Sequence, residues 1–136
     1  MRGEDRLITL LRTLRASPVD GVFVFASVAT GETPPGIVPR MVFQEAEGTT
    51  LVLSRRDAID AGLPHEFPCR MITLDVHSSL DAVGFIARVA AALAEQGIAV
   101  NPVSGFYHDH LFVPVDRVAD ALSVLERLSL EASAQG

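Results

Sequence analysis

Residues 70–114 restrict the fold more than any other part of the chain. They read RMITLDVHSS, then LDAVGFIARVAAALAEQG, then IAVNPVSGFYHDHLFVP. Over residues 71–76, Ile72, Leu74 and Val76 alternate with Thr73, Asp75 and His77, the period of a half-buried strand. Ser78 or Ser79 then offers a side-chain oxygen to cap a helix, and Asp81 stands three residues after Ser78, where a capping box puts its acid. Val83, Ile86, Ala90 and Leu93 recur at helical spacing, so this helix has one apolar face. Gly97 ends it, since Gly takes the left-handed conformation without a Cβ clash. Residues 98–103 and 111–113 are two further apolar runs, with Ser104-Gly105 in the turn between them. A last helix spans 115–128, with Val118, Leu122 and Leu125 on one face. Strand, helix, strand, strand, helix predicts an α+β, ferredoxin-like arrangement. Pro102 cannot donate to a ladder, so its strand belongs at an edge, the place of the second strand in that fold.

Upstream, residues 5–15 form an amphipathic helix with Leu7, Leu10, Leu11 and Leu14 as its buried stripe and Arg6, Arg12 and Arg15 on the wet side. Residues 21–28 are a strand apolar on both faces, with Val22, Val24 and Ala26 opposite Phe23 and Phe25. Both faces are therefore covered, or one meets a partner. Residues 29–39 are a Pro/Gly-rich loop. Residues 40–44 and 50–53 are strands of a hairpin, and 55–61 a short helix ended by Gly62. Residues 62–68 (GLPHEFP), with two prolines, read as a linker. LVLSRRDAIDA from Leu51 aligns without gaps on LFVPVDRVADA from Leu111, a strand running into a helix in both places. The strand at 22–28 answers 71–76, and 40–44 answers 98–103. The second copy has a full helix where the first has only the loop, and the N-terminal helix is expected to cover that part of the first sheet. Two related α+β units follow, 1–68 and 69–136, each with about three antiparallel strands and helices on one face.

Composition removes several function classes. Net charge is −6 and no basic cluster exceeds the pair Arg55-Arg56, so the chain lacks the basic face that nucleic acid requires. All eleven basic residues are Arg, which excludes a Schiff-base or P-loop lysine. No Gly-rich phosphate loop and no CxxC occurs, and no cofactor is expected. Cys69 is a single cysteine beside an apolar strand and reads as buried and inert. The opening MRGEDRLITLLRTLRAS is broken by charges, unlike a secretory signal. No apolar run approaches the roughly 20 residues of a membrane span. The expected location is the cytoplasm, away from membrane.

HSSLDAVG and GFYHDHLFVP carry a resemblance. The chain resembles the small tandem ACT-domain proteins, once a domain of unknown function, related to the amino-acid-binding arginine sensors of the CASTOR type. The likeness is strongest over 70–118 and extends through the strand at Val22 and FQEAEGTTLVL. It implies a ferredoxin-like pair of ACT modules, further association as a homodimer, and a small ligand, most often an amino acid. It also implies that the ligand sits where the loop after a unit's first strand meets a neighbouring module near the second strand. Carried over, one side is His77, Ser78, Ser79, Leu80, Val83 and Gly84, and the other is Asn101, Val103, Ser104, Gly105, Phe106 and Asp109. The resemblance departs at Ala82, where the arginine sensors carry an acid.

The residue types suit that ligand. A helix starting over 78–84 would present free N–H groups to an α-carboxylate. Gly84 would let a ligand approach closely, and Asp109 would pair an α-ammonium. The expected protein is a non-catalytic, amino-acid-binding regulator that acts through a protein partner or through oligomerisation. Two other readings stay open. His108 and His110, with His77 or Asp109, could bind a divalent metal, as a metal-binding protein or metal-dependent enzyme. The chain could also be an assembly module without ligand.

Overall fold

Periodicity and turn chemistry resolve into four helices and seven strands in the computed structural model, which describes residues 3–135. They are α1 (Gly3–Thr13), β1 (Ala16–Pro18), β2 (Phe23–Val28), β3 (Met41–Glu45), β4 (Gly48–Ser54), α2 (Arg55–Asp60), β5 (His65–Leu74), α3 (Phe85–Glu95), β6 (Asn101–Ser104), β7 (Asp109–Pro114) and α4 (Val118–Gln135). A 3-10 turn, Val115–Arg117, leads into α4. The chain divides into two compact units, one of residues 20–69 and one of residues 3–19 together with 70–135.

The unit of residues 20–69 has the strand order β3-β4-β2-β5, with residues 65–69 of β5 beside β2. Ala46 and Glu47 close the β3–β4 hairpin. Ser54 caps α2, accepting the Asp57 amide at 3.1 Å, and Gly62 at φ 65 lets the chain turn out of it. Val24, Ala26, Leu51, Leu53 and Ala58 form the core, with Ile37 of the long loop packed against it. The opposite face is partly covered too: Phe23 is buried under the Arg40 guanidinium, and Phe25 meets Phe67 edge-on at 5.9 Å. The stretch read as a linker is strand from His65 onward. Phe67 at φ 59 and a register shift opposite Phe23–Phe25 form a bulge. That bulge accommodates Pro68, which has no N–H to give.

The unit of residues 3–19 and 70–135 has the order β1-β5-β7-β6. β6, which carries Pro102, lies at its edge, as the proline requires. Three strands come from the continuous segment, and the fourth, β1, comes from the N-terminal residues. Each unit therefore has four strands, not three. Residues 65–69 supply the fourth strand of one, and 16–18 that of the other. One face of this sheet, with Ile72, Leu74, Leu111 and Val113, is buried against Phe85, Val89 and Leu93 of α3 and Ala121, Leu125 and Leu128 of α4. Leu11 of α1 and Leu14, which follows it, enter the same core, and Ser129 of α4 donates to the Arg12 carbonyl at 3.0 Å. The N-terminal helix thus packs on α3 and α4 within the unit of residues 3–19 and 70–135. Gly97 at φ 68 ends α3, and Arg117 donates to the free carbonyls of Gln96 and Gly97, as a cation at a helix C-terminus can.

Candidate functional site

The loop joining β5 to α3, residues 75–84, leaves the sheet beside the start of β7. Its geometry differs from a capped helix start. Ala82 N–H donates to the Ser79 carbonyl at 3.0 Å, closing a turn. The Ser79 hydroxyl donates to Asp81 Oδ1 at 2.6 Å and so is spent on a carboxylate. That hydroxyl holds Asp81 below the usual carboxylate range, with a smaller contribution from the Arg6 charge. Gly84, at φ 92, is the residue before α3. A left-handed residue interrupts helical geometry, so α3 starts at Phe85 and its free N–H groups lie there, not at Ser78. The expected capping box and the expected helix start over 78–84 are therefore both corrected.

Ser78 and Asp109 come together across 31 residues of sequence. The Ser78 hydroxyl donates to Asp109 Oδ2 at 3.0 Å, and Asp109 is only 7% exposed. Asp109 shares the core-facing side of β7 with Leu111 and Val113, which carries its carboxylate under the loop. On the far side of Ser78 lies a cleft of about 330 Å³. Its floor and one wall are His77, Ser78, Ser79, Asp81, Ala82 and Val83; the other wall is Arg6, Leu7, Thr9 and Leu10 of α1. A Cβ on Gly84 would lie in ordinary van der Waals contact with Leu7 Cδ2, at 3.4 Å, so it is the positive φ and not the approach of α1 that favours glycine here.

Of the expected site residues, His77, Ser78, Ser79 and Val83 line this cleft, and Gly84 and Asp109 adjoin it. Leu80 is exposed to solvent on the same loop. Asn101 and Ser104 are exposed on β6 and Val103 is half-buried. Gly105 donates its N–H to the His108 carbonyl at 2.9 Å, and Phe106 stands in solvent against Tyr107. These β6-side residues do not line the cleft. Sequence reasoning missed Arg6, Leu7, Thr9 and Leu10 as cleft residues. They read as an ordinary amphipathic helix, and no local signal ties them to a loop about 70 residues away.

The rings of His108 and His110 are 6.5 Å apart, and His110 Nδ1 lies 3.1 Å from Thr73 Oγ1. Among the described residues no group of three His, Cys, Asp or Glu is placed to hold a metal ion. Also among the described residues, no helix is long and apolar enough to cross a membrane.

Known proteins match this architecture. Residues 2–70 match one ACT-domain family model and residues 66–127 another. A crystal structure of a protein of unknown function from Vibrio cholerae is 37% identical, with a TM-score of 0.85 over 94% of this chain and 99% of that one. A protein from Agobacterium tumefaciens is 19% identical, with a TM-score of 0.70 over 85% of this chain and 89% of that one. The ligand-free regulatory subunit of aspartate kinase from Thermus thermophilus shares the fold at 11% identity, with a TM-score of 0.63 over 83% of this chain and 95% of that one. Among curated proteins none matches. With two ACT matches in tandem and a relative 37% identical along nearly its whole length, the chain belongs to the ACT-domain family.

Proposed function

We propose that this protein is a non-catalytic, cytoplasmic regulator that binds an amino acid or similar small metabolite at the β5–α3 loop and works as a homodimer. The observation that carries the reading is the Ser78–Asp109 hydrogen bond beside the cleft. It fixes a polar, acid-backed loop at the edge of a cavity large enough for a small metabolite. ACT domains are typically regulatory small-molecule-binding modules, and an aspartate kinase regulatory subunit shares the fold. The functional modules run 1–68 and 69–136, one repeat each, in keeping with the family matches at 2–70 and 66–127. His77, Ser78, Ser79, Leu80, Val83 and Gly84 form the ligand's first side. Asn101, Val103, Ser104, Gly105 and Phe106, on and beside an edge strand, are offered to a partner subunit. Asp109 backs the ammonium end.

The mechanism is linkage. A ligand with different affinities for two arrangements of the modules shifts their populations, and a protein partner reads the outcome. A thermal-shift screen against the twenty amino acids and common divalent metals tests this. A ligand at 100 times its dissociation constant adds about 2.7 kcal/mol, which raises the midpoint by several degrees at this size. One or two amino acids should shift it. Shifts with metals alone would sink the proposal in favour of the histidine pair, and no shift with any amino acid would leave an assembly module.

A further inference from the structure

We propose that the cleft between α1 and the β5–α3 loop holds an amino acid with an uncharged aliphatic side chain, its α-carboxylate on Arg6, its α-ammonium on Asp81 and Ser78, and its side chain against Leu7, Leu10 and Val83. This rests on the amino-acid reading above and adds the wall and the ligand class. At about 330 Å³ the cleft stands at the small end of ligand pockets, the size for a single amino acid. It presents one cation and one anion. Arg6 stands exposed in the cleft wall, where its planar guanidinium fork matches the geometry of a carboxylate. Asp81 is already oriented by the Ser79 hydroxyl. The Ser78 proton is committed to Asp109, which leaves the Ser78 oxygen lone pairs to accept from an ammonium. Asp109 is thus a positioning residue, acting through Ser78.

The rest of the cleft is apolar. Leu7 and Leu10 are half-buried on α1, whereas Val83 is 85% exposed and gains cover only when the cleft fills. With Arg6 and Asp81 taken by the backbone groups of the ligand, a charged side chain would lie unpaired against the leucines, which is costly. An aliphatic one removes apolar surface from water on both partners.

Isothermal titration of the full chain tests this with L-leucine, L-valine, L-methionine, L-aspartate, L-lysine and leucinamide, in the native protein and in Arg6→Gln and Val83→Asp. Both substituted side chains are exposed, and circular dichroism verifies the fold of each variant. Aliphatic amino acids are expected to bind at least about tenfold tighter than aspartate or lysine. Arg6→Gln should weaken leucine by about tenfold or more, the scale of one charge-assisted contact, and leave leucinamide, which lacks the carboxylate, unchanged. Val83→Asp should weaken the aliphatic ligands. If lysine or aspartate binds best, or if leucine binds both variants as it binds the native chain, this ligand class and wall are refuted while the amino-acid reading stands. If no amino acid binds the native chain, both fall.

Discussion

Replacing Asp109 by an asparagine separates charge from shape at the site. Asp109 is 7% exposed and accepts the Ser78 hydroxyl at 3.0 Å; among the described residues no Arg or His forms an ion pair with it. A carboxylate buried without a counter-ion is costly, and an amide of the same shape escapes much of that cost. In Asp109→Asn the amide oxygen would still accept the Ser78 proton, so folding stability should change by less than about 1 kcal/mol. Ligand binding should respond differently. An ammonium on Ser78 Oγ would sit about 6 Å from the carboxylate, one further hydrogen bond beyond the 3.0 Å contact. At an effective dielectric of about 20 that separation is worth about 2.8 kcal/mol. Screening in an open cleft reduces this, so the expected loss is about tenfold to a hundredfold in affinity. Asp109→Ala removes the tie to Ser78 as well and should abolish binding with the fold intact. Calorimetric titration reads the affinity and urea denaturation the stability. If Asp109→Asn binds the amino acid with the native dissociation constant and unfolds at the native urea midpoint, the charge of Asp109 has no part in recognition.

Other expectations follow from the same structure. A Cβ on Gly48 would lie 2.7 Å from the Val28 carbonyl oxygen, so Gly48→Ala must push β2 from β4. It should cost about 1–3 kcal/mol, read as a lowered Tm, and an unchanged Tm would refute the clash. Burial pushes the Cys69 thiol up to about 11 from 9.0, and the thiol donates to the Phe23 carbonyl. Its contribution to stability is therefore complete below pH 9.0 and fades as the pH rises through about 11. At about pH 8, below the ordinary thiol value, the native thiol should be alkylated far more slowly than the urea-unfolded one, and equal rates would show it is accessible. Asp81 is held below its usual 3.8 first by Ser79, so its contribution is present above 3.8 and is lost as acid titrates it below that value. Ser79→Ala should raise the Asp81 midpoint in carboxyl NMR, and an unmoved midpoint would remove the hydroxyl as the cause.

Much of the fold was legible in the sequence because its signals are local. The alternation at 71–74, Gly97 at the end of α3, Pro102 on an edge strand and the strand-into-helix repeat at Leu51 and Leu111 each depend on neighbours within a turn or a strand. Pro64 and Pro68 misled because proline reads as a breaker, whereas a bulge at Phe67 carries Pro68 within β5. Ser78 and Asp81 misled because the capping-box spacing is also satisfied by a turn in which Ser79 holds the acid. Ser78 and Asp109 were each visible as polar residues of a candidate site, but their hydrogen bond was not.

By itself, the sequence determined which faces are apolar, where the elements turn, and that the chain is acidic and without lysine. Only the tertiary structure decided what those faces meet. The stripe Leu7, Leu10, Leu11 and Leu14 requires burial but does not name its partner; packing set it on α3 and α4 and left Arg6 over the β5–α3 loop. The unit of residues 3–19 and 70–135 also completes its sheet with a strand from outside its longer segment, residues 16–18. Hydrophobic burial is non-directional, so the choice among apolar faces rests on shape and backbone hydrogen bonding across long sequence separations, which no local pattern encodes.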